Sequence, residues 1–185
     1  MTAVWGGTMK KQFVLPLALA SLVVLAFSGA AAATNANGNH DAYDFLIGVE
    51  PVEGPDVAMA PDGSTVTLTG SGTFNAGPNK SASGSGPYTL KNAAGVPVGS
   101  GTWTVTGMLG FVSYGNAVPE GLPDFLFGGE AKLRVSLSNG SDGVLTVFCL
   151  LGTPPPGKEE GVSLVLGTGG NYTMPMGGQT VLIGA

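Results

Sequence analysis

Two carboxylates, Glu120 and Asp124, stand close together inside the segment Tyr114 to Glu130, which also carries Pro119, Leu122, Pro123, Phe125, Leu126 and Phe127. Paired carboxylates can share acid, base or nucleophile roles, as glycoside hydrolysis requires, provided their separation suits the reaction. A short spacing within a loop does not set that separation. With Glu130 as a third acid, these residues define one reading: a barrel-type enzyme working on a neutral substrate through positioned carboxylates. The alternative is a long loop that tucks its aromatics over one end of the fold and leaves the acids in water.

Other chemistry-bearing residues are sparse. The chain has one His and one Cys, so it cannot build a multi-His zinc centre or an internal disulfide. His40 has no Gly-x-Ser-x-Gly elbow to serve as a triad partner; Gly84-Ser85-Gly86 and Gly99-Ser100-Gly101 read as turns. Asn35, Asn37, Asn39, Asp41 and Asp44 offer hard oxygen ligands, but Leu46 occupies the position where a calcium loop needs its closing Glu. No metal ligand set and no cofactor motif is therefore assigned. Cys149 lies in the most apolar run with no cation close before it, which makes it a small buried hydrophobe rather than a nucleophile.

A repeat links the aromatics. Gly70-Ser71-Gly72-Thr73-Phe74, Gly84-Ser85-Gly86-Pro87-Tyr88 and Gly99-Ser100-Gly101-Thr102-Trp103 share Gly-Ser-Gly-x-aromatic, with starts 14 and 15 residues apart. That period is too short for a propeller blade and suits successive strands of a meander. Tyr88, Trp103, Phe111, Tyr114, Phe125 and Phe127 are the candidate lining of a mouth that takes a small apolar or carbohydrate ligand, since aromatic faces stack on flat apolar surfaces. The same rings serve equally as core beside glycines.

Strands must carry these residues. Val66 and Leu68 alternate with threonines, Leu133, Val135 and Leu137 alternate with Lys132, Arg134 and Ser136, and Val162, Leu164 and Leu166 repeat the pattern. Period-two alternation marks half-buried strands, and the apolar run Val144 to Leu151 marks a strand buried on both faces. Asn139-Gly140-Ser141-Asp142-Gly143 closes a hairpin over 131–151, and Pro154-Pro155-Pro156-Gly157 forces a turn. No stretch after the leader shows a capped helical period. The expected fold is all-β: a single antiparallel β-barrel or β-sandwich domain over 64–185, after a polar lead-in at 34–63. A barrel is favoured because closure removes the exposed edges of a weakly charged sheet.

The first 33 residues read as a secretory signal helix. Lys10 and Lys11 precede an apolar run to Phe27, and small residues end at Ala31 and Ala33. Removing 1–33 leaves 12 acids against 5 bases, a formal charge of −7. That charge disfavours nucleic acid and anionic membranes as partners. The expected location is secreted, periplasmic or cell-surface, without membrane attachment after cleavage. The leading expectation is a non-enzymatic β-protein that binds a small or apolar ligand or serves as an extracellular surface or matrix component. Besides the enzyme, an adhesion or protein-interaction module displaying Phe125 and Phe127 is the other alternative.

Overall fold

The computed structural model describes residues 41–185. The signal segment, Asn35, Asn37, Asn39 and His40 lie outside the described residues. The strands are β1 (Ala42–Ile47), β2 (Asp56–Met59), β3 (Thr65–Leu68), β4 (Gly70–Asn75), β5 (Ser81–Lys91), β6 (Pro97–Asn116), β7 (Leu126–Leu137), β8 (Asp142–Cys149), β9 (Gly161–Leu166), β10 (Asn171–Tyr172), β11 (Met174–Gly177) and β12 (Thr180–Gly184). The described helical content is one 3-10 turn, Val118–Glu120.

The antiparallel ladder β7–β12–β1–β4–β5–β6 returns to β7 and closes a six-stranded barrel. Two outer wings hang from its longest strands. β5 gives Ser81–Ser85 to β4 but Tyr88–Lys91 to β3, so the sheet forks into β3–β2–β11. β7 pairs Leu126 and Phe127 with β12 and then turns Gly129–Ser136 to β8, which leads into β9 and β10. The wings meet where β2 and β11 pack on β9.

The barrel domain starts earlier than its polar neighbours suggest. Residues 42–59, expected as lead-in, hold β1 and β2, and β1 is a barrel stave between β4 and β12. Tyr43, Phe45 and Ile47 alternate inward and are at most 1% exposed. Only three apolar positions on one face mark this strand, and the surrounding Asn and Asp residues mask them.

Aromatic rings fill the barrel. Tyr43 stacks on Phe74 at 5.1 Å between centroids, tilts against Phe111 at 4.8 Å and meets Phe127 edge-on at 5.5 Å. Phe45 lies 6.5 Å from Trp103, whose Nε1–H donates to the Thr69 carbonyl at 3.1 Å. Small residues on the facing strands make the room. Gly72 and Gly84 are direct partners across β4 and β5. A Cβ on either would lie under 3 Å from the Phe45 ring, closer than real carbon contacts allow.

Candidate functional site

The 114–130 connection sits at one end of the barrel, with the starts of β1 and β5 and the end of β4. Here an open depression of about 230 Å³ is lined by Ala42, Thr73, Phe74, Asn75 and Ser81–Ser83. The candidate aromatics do not converge on it as one wall. Trp103 and Phe127 are 1% exposed and Tyr88 3%, all within the core. Phe111 is partly buried and packs between Tyr43 and Phe74. Tyr114 is buried apart from them, its hydroxyl 3.5 Å from Glu130 Oε2. Phe125 faces water at 45% exposure.

The loop acids have separate tasks. Glu120 is exposed, and its Oε1 accepts the Gly152 N–H at 2.8 Å, tying the loop to the chain after β8. Asp124 is exposed at the turn before β7. Glu130 is the most engaged of the three: Lys158 lies 2.7 Å from its Oε2 and Lys132 3.0 Å from its Oε1. Burial raises its proton affinity, but the hydrogen bonds and charges of the two lysines outweigh that and hold the carboxyl below the usual range. Glu130 in turn holds the Lys158 ammonium above its ordinary value, and Lys158 also lies 5.2 Å from the centre of the Phe148 ring.

A second acidic group, absent from the sequence reading, lies at the inner junction of the wings. Asp56 opens β2 and is completely buried, and neither carboxylate oxygen has a hydrogen-bond partner. Period two gives the local cause: Asp56, Ala58 and Ala60 share the buried face. Glu160, just before β9, is better served. Its Oε2 accepts the Leu150 N–H at 2.6 Å, and its Oε1 accepts the Thr180 N–H at 3.0 Å and lies 2.7 Å from the Thr180 hydroxyl. Burial raises the proton affinity of both acids. For Asp56, burial first and the nearby Glu160 charge second push the value up to about 7. The Gln179 backbone amide acts in the opposite direction, although its N–H is directed to the Glu53 carbonyl at 2.8 Å. The signal that could have found Asp56 is an acid two residues before Ala58 on one face of an alternating strand.

Cys149 shares this neighbourhood at 1% exposure, and burial together with the Glu160 charge pushes its thiol up to about 12. A thiol so protonated is inert, because the thiolate is the reacting species. Iodoacetamide labelling at pH 8 is expected to run at least about a hundredfold slower in the folded protein than in urea; equal rates would contradict the burial. Among the described residues no group of three or more His, Cys, Asp or Glu is placed to hold a metal ion, and no helix is long and apolar enough to cross a membrane. Comparison with protein-family models, curated proteins and solved structures gives no match to this chain.

Proposed function

We propose that this chain is an exported, non-enzymatic β-barrel protein that serves as an extracellular surface or matrix component. The observation that carries this choice over an interior ligand carrier is the filling of the barrel: Tyr43, Phe74, Phe111 and Phe127 pack against one another in its core at centroid spacings of 4.8–5.5 Å. Ligand pockets of drug size need roughly 300–1,000 Å³ of concave space; the shallow depression beside Phe74 is smaller and open. The leader-like start and the net acidity of the remainder support export.

Two measurements test the reading. Titration with a neutral naphthylamine dye is expected to give no saturable uptake and no quenching of Trp103 fluorescence; stoichiometric binding with quenching would restore the carrier. Fractionation of the native host is expected to recover the protein outside the cytoplasm, and cytoplasmic recovery would refute export.

One observation favours an interaction module as the second reading. Val112, Val118 and Phe125, at 59%, 52% and 45% exposure, lie on β6 and the loop toward one barrel end. Exposed apolar groups gathered on one face mark contact sites when they form a patch. Light scattering that shows self-association abolished by Phe125→Ser would support it; a monomer at all concentrations would remove self-association from this reading.

A further inference from the structure

We propose that Asp56 is a carboxylic acid kept protonated in the closed junction of the two wings, and that its ionisation releases the β2–β11 flap from β9. The junction has the right construction for a latch. β2 is held by ladder hydrogen bonds to β3 on one edge and to β11 on the other. β11 pairs with β2, and these two strands meet β9 by packing, without a shared ladder. The Asp56 side chain lies in that packed seam, against Gly178 of the β11–β12 connection and facing Gly161 at the start of β9.

The two acids at the seam are unequal, and this assigns the proton. Glu160 has up to three donors, from the Leu150 and Thr180 amides and the Thr180 hydroxyl, and can carry a negative charge. Asp56 has only the Gln179 amide near it, whose N–H is directed to the Glu53 carbonyl, so the proton belongs on Asp56. The titratable groups that bear on the pair are each other and the Cys149 thiol from the end of β8. Lys158, close in sequence to Glu160, is engaged with Glu130 instead. A charge on Asp56 would therefore be buried beside a second negative charge, with no cation and no donor other than the already committed Gln179 amide. An unpaired buried charge is costly enough that the structure relieves it by binding a proton or by exposing the group.

The sign of the linkage follows. A carboxyl whose proton affinity is raised on folding stabilises the fold fully below its unfolded value near 4 and loses that contribution as pH rises toward its folded value of about 7. Over that window the folding constant is expected to fall by about tenfold per pH unit from this proton alone. The protein should thus be firmer in mildly acidic than in neutral surroundings.

Thermal unfolding of the purified protein from pH 4.5 to 8.5 tests this, together with Asp56→Asn. The melting temperature of the native protein should fall between pH 5 and 7, and the variant should lack that fall and melt higher than the native protein at pH 8. Amide exchange in the native protein, corrected for the intrinsic rate, should rise with pH in residues 57–59 and 174–177, and this arm stands even if the variant folds poorly. A native profile that is flat or rising from pH 5 to 7, an unchanged fall in the variant, or exchange indifferent to pH would each overturn the proposal. So would a rise in native melting temperature on adding calcium chloride at pH 8 that Asp56→Asn abolishes, because the acids would then be a cation site.

Discussion

Trp103→Ala is expected to cost about 3–5 kcal/mol, the usual range for removing a large buried aromatic. A domain of this size has only about 5–15 kcal/mol of stability in total. Trp103 is 1% exposed, lies along Phe45 and fills the space over Gly70, where an added Cβ would lie 2.5 Å from its ring. Its removal opens a cavity near the point where β5 turns from β4 to β3, with Gly86 of β5 and Leu137 of β7 as the register partners of Trp103. The strands around it are held by ladders and cannot collapse freely into the void. Urea unfolding followed by circular dichroism measures the loss. Trp103→Phe separates packing from polarity: it keeps most of the ring volume but strands the Thr69 carbonyl, for an expected cost of about 1–2 kcal/mol. Equal costs for the two variants would mean that the indole hydrogen bond, rather than the packed ring, dominates.

Gly72→Val is expected to be comparably severe, about 3 kcal/mol or more, by overfilling instead of emptying. The new Cβ would be driven into the Ser83 carbonyl, the Gly84 backbone and the Phe45 ring. Two of those obstacles are backbone and cannot rotate away, so the β4–β5 ladder would have to separate. Ser71→Val on the same strand is the control, since Ser71 is exposed on the outer face and a change there should stay within about 0.5 kcal/mol. A Gly72 variant as stable as the Ser71 variant would show that Phe45 has room to move.

This pair of positions also explains the Gly-Ser-Gly repeat. In the first two copies Ser71 and Ser85 face outward, while Gly70, Gly72 and Gly84 lie beneath aromatic rings from other strands and Gly86 lies against the Thr69–Gly70 backbone. The repeat is therefore the footprint of Phe45 and Trp103 on the strands opposite them. Gly99-Ser100-Gly101 lies inside β6, and Gly84-Ser85-Gly86 reads as a turn along the sequence although it lies inside β5. Its inner positions, Ala82, Gly84 and Gly86, carry almost no hydrophobicity, so the alternation that reveals β7 is missing. The hydrophobic partner of those positions is distant in sequence, and a pattern search along one strand cannot see it.

The site follows the same division. Glu120, Asp124 and Glu130 were legible as acids, and Lys132 is a neighbour of Glu130 on the same strand, but the contacts of Glu120 with Gly152 and of Glu130 with Lys158 come from chain segments more than twenty residues away. Asp56 and Glu160 are 104 positions apart in the chain, and nothing local to either announces the other.

The amino-acid order alone determined that the chain is built of strands, because side-chain alternation and Gly, Pro and Asn turns are local properties of the backbone. It also determined the excess of acids over bases and the lone protonated thiol's apolar setting. Only the tertiary structure decided that the sheet closes into a six-stranded barrel, that aromatic rings pack together in its core, and that two acids lie at a seam without a cation. Closure, filling and charge proximity depend on distances between residues far apart along the chain, and those distances exist only once the strands have paired.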